Sequence, residues 1–544
     1  MIRLIGLIGL TRLTREKNRR TEEQKNRRTE EQKNRRTEEQ KNRRTEEQKN
    51  RRTDEKGSRK LVHYCQFLSL STLSTSSTPS TFSTLNCSMN SDFEFKNPFF
   101  IGIAGTGMSA IAQYLQSTGI NVSGSDRYFK DGEYNETKEK LEAEGINCFL
   151  QNGEGITDKT DLIVVSAAVE DTVPEVQKAK ALNIPIIKRA ELLAKIAKSK
   201  LTIAVGGTSG KSTTSAMLFD ILSYAGLKPG IISGAGLVSL IKKGKIGNAA
   251  AGAGEWLVIE ADESDGSIIN YEPEIGLLLN VDKDHKEIDA LMEIFKTFRN
   301  NSQKFVVNRS HPLAKQLSQD PANDFAIEMY SAGYCATDFK QEGLSINFKI
   351  NESNFHLNVL GKHNMENALG AVAVAAQVGV PISIAAEALK HYEGIYRRHQ
   401  VIGEKKGVWL IDDYAHNPAK CAASIQACQS IAPKVVAWFQ PHGYGPTKFL
   451  RNDFVQEIAA VLRPEDEIWM SEIFYAGGTT EKDISAKDLI DDLKLIGKSA
   501  FFVEDRNNFI ESVRPHLKKD SVLLLMGARD PSLEGFARKV WDEL

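Results

Sequence analysis

The sequence of 544 residues has no long hydrophobic run and no clustered cysteines. A helix that crosses a membrane needs about 20 consecutive apolar residues, and no segment approaches that length, so we expect no membrane contact. The six cysteines are scattered, without a CxxC pair or the spacing of metal ligands. This pattern argues against a zinc ribbon or a disulfide scaffold and favours a reducing compartment, so we expect a cytoplasmic protein.

Outside the N-terminal region, acidic residues outnumber basic ones. Residues 1–88 contain 21 Lys and Arg against 11 Asp and Glu, so the rest of the chain carries a net charge of −11. Nucleic-acid-binding proteins concentrate Lys and Arg on their folded surface. We therefore expect no nucleic-acid partner.

The first 95 residues lack the apolar periodicity that a folded core requires. The octet TEEQKNRR occurs four times without change over residues 21–52, and residues 69–88 are mostly Ser and Thr. Neither composition offers enough apolar surface to bury. We predict a disordered low-complexity extension over residues 1–95, with a basic interaction tail as the alternative to an extension without function.

A glycine-rich turn follows the first apolar strand. The segment after Pro98 reads FFIGIAGTGMSAIAQYLQSTGINVSGSD, which predicts a strand, the turn Gly105-x-Gly107-x-x-Ala110, an amphipathic helix and a strand ending at Asp126. The glycines let the backbone approach a phosphate, and the helix N-terminus offers free N–H groups. A carboxylate 21 residues after Gly105 suits a ribose. Taken alone, the motif predicts NAD binding, although any ligand with a diphosphate and a ribose fits.

A second glycine-rich turn has the form of a phosphate loop. The segment is LTIAVGGTSGKSTTSAMLFDIL, an apolar strand followed by the loop and a helix. The backbone amides of such a loop surround phosphates, Lys211 can reach the β- and γ-oxygens, and the Ser212 hydroxyl can bind Mg²⁺. The sequence therefore predicts a nucleoside triphosphate site.

Acidic and other polar side chains follow the next apolar strands. EWLVIEADESDGS places Glu260, Asp262, Glu263 and Asp265 after one strand, and IGLLLNVDKDH places His285 after another. A carboxylate at a strand end is where nucleotide-bound Mg²⁺ finds a protein ligand. Later polar clusters, at the starts of elements, contain Lys362, His363, Asn364, Asn367, Arg397, Arg398, Asp412, Asp413, Tyr414, His416 and Asn417.

The order of these motifs resembles the Mur ligases, the ATP-dependent amide-bond-forming enzymes of peptidoglycan synthesis. The motifs that carry the resemblance are IGIAGTGMSAIA, SGSD, KRAELLA, GGTSGKSTT, EADESD, NVDKDH, GKHNMENALGA, YRR, DDYAHNP, FQPH and MGA. The resemblance implies an α/β fold with three domains. These are a Rossmann-like UDP-sugar-binding domain at residues 96–198, a central P-loop ATPase-like domain at 199–392 and a C-terminal α/β ligase domain at 393–544.

The resemblance also implies roles for individual residues, with a UDP-sugar in place of NAD at the first turn. The residues expected to bind the UDP-sugar are Gly105, Thr106, Gly107, Met108, Ser109, Asp126 and Ser166. ATP binding would fall to Gly207, Thr208, Ser209, Gly210, Lys211, Ser212, Thr213, His363, Asn364, Asn367, Asp413 and His416. Catalysis would rest on Lys211, Glu260, His285 and Arg398, and Mg²⁺ would be bound by Ser212, Glu260 and His285.

The implied reaction adds L-alanine to UDP-N-acetylmuramate through an acyl phosphate, with release of ADP and phosphate. The chain differs from the usual family pattern at Ser209 and Ser212, where His and Thr are usual, and at 443–446, where an Arg-aromatic-Ser/Thr-Arg run is usual. A recycling ligase that attaches a tripeptide to the same UDP-sugar is one alternative. A non-catalytic paralogue that binds the nucleotide-sugar or ATP is another, and an NAD-dependent oxidoreductase rests on the first turn alone.

Overall fold

The computed structural model describes residues 93–264, 266–283, 286–475, 477 and 481–544. These residues form three mainly parallel sheets covered by helices, together with one small sheet, which confirms the predicted α/β class. The predicted extension lies outside the described residues except for 93–95, where Phe95 is already buried. No helix in these ranges is both long enough and apolar enough to cross a membrane.

The first sheet has five parallel strands in the order β3-β2-β1-β4-β5. Its central strand, PFFI, is wholly buried, as expected for a strand covered on both faces. The strand order reverses at β1, so a crevice forms at its carboxyl end, where α1 begins. The elements are β1 (Pro98–Ile101), α1 (Thr106–Ser117), β2 (Ser123–Asp126), α2 (Glu136–Ala143), β3 (Asn147–Leu150), β4 (Leu162–Val165), α3 (Pro174–Ala181), β5 (Ile186–Lys188) and α4 (Arg189–Lys198).

The second sheet has the order β11-β10-β6-β9-β7-β8, with only β8 antiparallel. Strand β6 lies between β9 and β10, so the loops that follow these three strands meet at one edge. The elements are β6 (Leu201–Gly206), α5 (Lys211–Tyr224), β7 (Gly230–Ile232), α6 (Val238–Ile241), β8 (Ala249–Ala250), β9 (Trp256–Glu260), a 3₁₀ helix (Ser267–Asn270), β10 (Ile275–Leu278), α7 (Ile288–Asn301), β11 (Lys304–Val307) and a 3₁₀ helix (Ala314–Leu317).

A four-stranded sheet that the sequence motifs did not indicate follows in the order β12-β13-β14-β15. Its last three strands form an antiparallel meander, and alternate side chains of β14 are buried. This sheet and the helices after it share a core with α5. The elements are β12 (Phe325–Ile327), β13 (Tyr334–Glu342), β14 (Ser345–Ile350), β15 (Ser353–Leu357), α8 (Lys362–Gln377) and α9 (Ile382–Lys390).

The last sheet has the order β16-β17-β21-β18-β19-β20, and only β16 is antiparallel. The elements are β16 (Gln400–Lys405), β17 (Val408–Asp413), α10 (Pro418–Gln429), β18 (Lys434–Gln440), α11 (Tyr444–Phe449), α12 (Arg451–Val461), β19 (Glu467–Met470), α13 (Ala486–Leu495), β20 (Ala500–Phe502), a 3₁₀ helix (Arg506–Asn508), α14 (Phe509–Val513), a 3₁₀ helix (Arg514–His516), β21 (Ser521–Gly527) and α15 (Leu533–Glu543). The predicted domain boundaries at 198/199 and 392/393 stay predictions.

The first two sheets share one hydrophobic core. Tyr114 of α1 belongs to the same buried cluster as Ile232 and Ala249 of the second sheet. Its ring packs against the backbone of β7, since a Cβ atom added to Gly230 would lie 3.1 Å from Tyr114 Cε2. Burial raises the pKa of Tyr114 to about 12. Apolar contact therefore joins α1 to the second sheet.

Asp220 on α5 gives the fold a testable pH dependence. Burial raises its pKa to about 7, and the charge of Glu393 adds to this effect. The unfolded carboxyl titrates near pH 4, so the folded protein holds an extra proton between about pH 4 and 7 and loses stability as the pH rises through that window. We expect Asp220→Asn to raise the free energy of unfolding at pH 8 by about 1–3 kcal/mol.

Urea unfolding at pH 5 and pH 8 measures this effect, which should be largest at pH 8. Asp158→Asn, at an exposed carboxylate, is the matched control and should change stability at neither pH. Equal stability of Asp220→Asn and the unmodified protein at pH 8 would contradict the prediction.

Candidate functional site

The predicted phosphate loop joins β6 to α5 and leaves a group of N–H donors open. Gly207 and Gly210 have φ angles of +134° and +85°, which L side chains rarely adopt. Within the described part of the chain, the backbone N–H groups of residues 210–213 have no hydrogen-bond acceptor. They lie at the positive end of a 14-residue helix. A phosphate group can accept hydrogen bonds from these donors.

Asn280, which follows β10, fixes the shape of this loop. Its Oδ1 accepts hydrogen bonds from Thr208 Oγ1 at 2.9 Å and from the Ser209 N–H at 2.8 Å. Its Nδ2 donates to the Ser209 carbonyl at 3.1 Å. Asn280 belongs to the motif NVDKDH, whose pattern did not predict this role. An amide side chain at the end of the strand beside a phosphate loop was the available signal.

Lys211 is held over the loop by a buried carboxylate. Its Nζ lies 2.7 Å from the Gly207 carbonyl oxygen and 2.7 Å from Glu263 Oε2. Burial lowers the pKa of Lys211, but the charges of Glu263 and Asp262 outweigh this and leave the pKa above its usual value. The ammonium group is therefore protonated and lies at the site where phosphate oxygens would bind.

Glu260, at the end of β9, has one oxygen fixed and one available. Its Oε1 accepts hydrogen bonds from Ser233 Oγ at 2.6 Å and from the Gly234 N–H at 2.7 Å. Its Oε2 has no hydrogen-bond donor among the residues that the structure describes. His285, the other predicted ligand of the same metal, lies outside the described residues. Within them no group of three or more His, Cys, Asp or Glu is spaced to hold a metal ion.

The two arginines of the YRR motif make different contacts. Arg397 is buried, with Nε 2.8 Å from Asp412 Oδ2 and Nη2 3.0 Å from the Gly527 carbonyl oxygen. The guanidinium of Arg398 lies 4.7 Å from the centre of the Tyr414 ring, and no carboxylate of the described chain pairs with it. Arg397 therefore supports the fold, whereas Arg398 keeps its charge available.

His363 of α8, His399 and Asp413 at the end of β17 form a cluster. The centres of the two imidazole rings lie 5.0 Å apart. The backbone N–H of His399 donates a hydrogen bond to Asp413 Oδ1 at 3.1 Å. Burial lowers the pKa of His363 to about 3, and the neighbouring His399 adds to the effect. His363 is therefore neutral at pH 7.

One cleft of about 510 Å³ brings most of the predicted ATP residues together. A volume of this order suits a cofactor-sized ligand. Its lining includes the predicted residues Thr208, Ser209, Gly210, Lys211, Ser212, Thr213, Glu260, His363, Asn364, Asn367, Arg398, Asp413 and His416. Gly207 lies in the same loop, against the backbone of Asn280. Residues far apart in the sequence therefore form both walls of a single cleft.

The first glycine turn resembles the phosphate loop in having open donors. Among the described residues, the N–H groups of Thr106 and Gly107 have no acceptor. A Cβ atom added to Gly107 would lie 3.1 Å from Arg189 Nη1, so a guanidinium from α4 lies beside the turn. Arg189 belongs to the motif KRAELLA, whose pattern did not predict this position. The turn thus combines backbone donors with a positive charge.

The other predicted UDP-sugar residues surround this turn. Asp126 is buried, and its two carboxylate oxygens accept hydrogen bonds from the Ala104 N–H at 2.9 Å and the Tyr128 N–H at 3.0 Å. It therefore holds the backbone before the turn, and its predicted contact with a ribose stays a prediction. Met108 and Ser109 are buried in the first turn of α1, and Ser166 directly follows β4, the neighbour of β1.

The segment 443–446 begins the short helix α11 in place of the Arg-containing run that is usual in the family. Lys448, the cation within this helix, is exposed and pairs with Asp483. The amine therefore faces a carboxylate of its own domain. A second cavity of about 400 Å³ lies beside this helix and shares His416 with the main cleft.

Gly210→Ala should lower ATP affinity at least about tenfold, or about 1.4 kcal/mol. The added Cβ would lie 2.3 Å from Asn367 Oδ1, and the φ angle of +85° is unfavourable for alanine. Gly226→Ala, at a φ of +79° with nothing within 4 Å of its Cβ, tests backbone strain alone and should leave ATP affinity unchanged. Titration calorimetry with ATP measures both, and equal affinities would contradict the role of the loop.

Three family models match the chain in order. The Mur ligase family catalytic domain matches residues 99–201, the Mur ligase middle domain matches 205–375, and the Mur ligase glutamate ligase domain matches 397–529. These segments correspond to the first sheet, the central sheets and the last sheet.

Related proteins agree with these matches. The chain is 34% identical to UDP-N-acetylmuramate–L-alanine ligase of Bdellovibrio bacteriovorus over 79% of this chain and 95% of the relative. It is 34% identical to the ligase of the same name from Aquifex aeolicus, over 79% and 94%. The crystal structure of UDP-N-acetylmuramate-alanine ligase MurC from Thermotoga maritima superposes with a TM-score of 0.67 at 26% identity, over 82% and 98%. The protein therefore belongs to the Mur ligase family.

Proposed function

We propose that this protein is an ATP-dependent ligase that joins the amino group of L-alanine to the carboxylate of UDP-N-acetylmuramate. One observation carries the proposal: a single cleft has the phosphate loop with Lys211 on one wall and Arg398 on the other. The relatives that match over most of the chain bear the name of this reaction. A cytoplasmic location belongs to the same proposal, because the reaction consumes ATP.

The reaction needs two group transfers. A carboxylate oxygen of the sugar attacks the γ-phosphorus, the bond from that phosphorus to the β,γ-bridging oxygen breaks, and ADP leaves. The amine nitrogen then attacks the acyl carbon of the acyl phosphate. The resulting tetrahedral intermediate loses inorganic phosphate, and the nitrogen loses a proton. Because both steps depend on alignment, the protein must hold three substrates in a fixed order.

The residues of the cleft suit the first transfer. The open N–H groups of residues 210–213 and the ammonium of Lys211 would bind the terminal phosphates. Negative charge develops on the transferred phosphoryl group, and fixed cations stabilise that charge. Arg398 would supply a second cation from the opposite wall. Arg398 belongs to the segment that enters the C-terminal domain. Lys211 and Arg398 would therefore both contact the phosphates only when both walls of the cleft contact the nucleotide.

Mg²⁺ binding is part of the proposal, and the oxygen atoms present fit that ion. Mg²⁺ prefers oxygen ligands and uses few protein groups beside the phosphates. The Ser212 hydroxyl and Glu260 Oε2 are such groups, and Glu260 is oriented by its hydrogen bonds to Ser233 and Gly234. When bound, the ion neutralises charge on the phosphate oxygens. His285 remains a predicted third ligand.

The UDP-sugar would bind at the first glycine turn. The open N–H groups of Thr106 and Gly107 and the guanidinium of Arg189 favour a diphosphate there. The ligand would therefore occupy the N-terminal domain, while ATP occupies the central cleft. An oxidoreductase function would leave the phosphate loop unused.

Phosphate release by the full-length protein tests the proposal. The assay contains ATP, Mg²⁺ and UDP-N-acetylmuramate, and amino acids are added one at a time. Release that requires both the sugar and L-alanine would support the proposed reaction. Release only with a tripeptide would identify the recycling ligase, and ATP binding without release would identify a non-catalytic paralogue.

A further inference from the structure

We propose that Asn248 is a positioning residue that fixes the first glycine turn relative to Glu260 in the central cleft. The inference rests on the proposed function, in which the turn binds the UDP-sugar and Glu260 lies beside the ATP phosphates. Asn248 directly precedes β8 and is completely buried. It belongs to none of the motifs of the sequence analysis.

The side chain of Asn248 forms hydrogen bonds with three residues of α1. Its Nδ2 donates to the Thr106 carbonyl oxygen at 2.8 Å and to Ser109 Oγ at 3.0 Å. Its Oδ1 accepts a hydrogen bond from Gln113 Nε2 at 2.7 Å. Thr106 carries one of the open N–H groups of the turn. The amide of Asn248 therefore fixes the orientation of the helix turn that presents these donors.

The main chain of Asn248 continues the connection toward Glu260. Its carbonyl oxygen accepts a hydrogen bond from the Ser233 N–H at 2.8 Å. Ser233 Oγ in turn donates to Glu260 Oε1 at 2.6 Å. Ser233 is also buried, so water does not compete with these bonds. Two residues, Asn248 and Ser233, thus link the sugar-binding turn to the carboxylate of the ATP cleft.

The hydrogen bonds of Asn248 and Ser233 add directional contacts to the interface between the first two sheets. The shared apolar core, with Tyr114 of α1 and Ile232 of the central sheet, already holds the two domains together without directional preference. Hydrogen bonds to the first turn of α1 fix its rotation and its position along the helix axis. A misplacement of about 1 Å between reacting groups reduces rates about 100-fold. Asn248 therefore acts on the rate of acyl phosphate formation more than on binding.

Asn248→Leu and Asn248→Ala test the inference in the full-length protein. We expect kcat for phosphate release to fall about 10–100-fold, while the KM for ATP and the Kd for UDP-N-acetylmuramate, from titration calorimetry, stay within about threefold. Gln116→Ala is the matched control. Gln116 Oε1 accepts the Val122 N–H at 2.9 Å on the same helix but within the first domain, so its loss should lower Tm and leave kcat unchanged.

Ser233→Ala removes the hydrogen bond to Glu260 with a milder substitution. This variant tests the inference if an Asn248 variant does not fold. It should lower kcat without changing either affinity, and the double variant should be about as slow as the slower single variant. Unchanged kcat in both single variants, or an equal loss of UDP-sugar affinity, would overturn the inference alone. An unmodified protein that binds both ligands but releases no phosphate would overturn the proposed function and this inference together.

Discussion

Lys211→Ala is expected to lower kcat for phosphate release by about 1,000-fold or more while the Kd for UDP-N-acetylmuramate changes less than about twofold. The ammonium group lies over the phosphate loop, where charge would develop on the transferred phosphoryl group in the proposed reaction. In the proposed function the sugar binds at a different turn, after the first strand of the first sheet, so its affinity should not depend on Lys211. Phosphate release and titration calorimetry with each ligand measure the two quantities separately.

The ion pair between Lys211 and Glu263 complicates the interpretation of Lys211→Ala. Both side chains are largely buried, with exposed fractions of 16% for Lys211 and 5% for Glu263. Removing one partner of a buried ion pair destabilises a protein by about 3–5 kcal/mol. The double variant Lys211→Ala/Glu263→Gln removes the unpaired charge. We expect it to recover most of the Tm of the unmodified protein and none of the activity.

Lys198→Ala is the matched control for the loss of a lysine ion pair. Lys198 Nζ lies 2.9 Å from Glu272, but both side chains are more than half exposed, so we expect no measurable change in Tm or kcat. Recovery of activity in the double variant would show that Lys211 acts only through folding. A loss of UDP-sugar affinity as large as the loss of ATP affinity would contradict the separation of the two sites.

The phosphate loop could be predicted because its geometry is local to the sequence. Glycines that permit positive φ and the lysine lie within the segment 206–213, and the helix begins directly at Lys211. The α/β class could be predicted for a similar reason, since apolar strands and amphipathic helices alternate along the chain. The Mur ligase family could also be predicted, because eleven short motifs occur along the chain in the order that is typical of this family.

The contacts that hold the loops in place could not be predicted. Asn280 bonds to Ser209 across 71 residues of sequence, and Asn248 bonds to Thr106 across 142 residues. Such partners depend on strand order and on how two domains pack, which local patterns do not determine. For Asp126 the position could be predicted, but the hydrogen-bond partners could not. Its position was predicted correctly at a strand end, but both oxygens bind backbone N–H groups.

The adjacent arginines of YRR were also indistinguishable in the sequence. In the structure Arg397 and His399 both have positive φ angles, of 54° and 46°, so the backbone turns sharply on either side of Arg398. One guanidinium is thereby directed into the C-terminal domain and the next toward the cleft. Non-glycine residues in this conformation are unfavourable by about 1–3 kcal/mol each. The stabilising contacts of Arg397 with Asp412 and Gly527 offset part of that strain.

Arg398→Ala is therefore expected to lower kcat about 100- to 1,000-fold with little change in Tm. The group removed makes no salt bridge in the described chain. Burial raises the pKa of Asp413, and the charges of His399 and Arg398 outweigh this effect, so the variant weakens one of two compensating charges and should lose less stability than Arg397→Ala. Arg397→Ala should have the opposite profile. It leaves Asp412, whose pKa burial already raises, without its partner, and the free energy of unfolding should fall by about 3–5 kcal/mol.

Calorimetric melting and phosphate release, measured on both variants at one protein concentration, distinguish the two roles. Arg398→Lys is the conservative comparison, because it keeps the charge and loses the planar pair of donors that suits a phosphate. It should recover part of kcat. If Arg397→Ala keeps its Tm and loses activity, or Arg398→Ala loses Tm and keeps activity, the assignment of the two guanidinium groups is wrong. The expected result would instead mean that the strained turn at 397–399 places one arginine in the fold and one at the reacting phosphate.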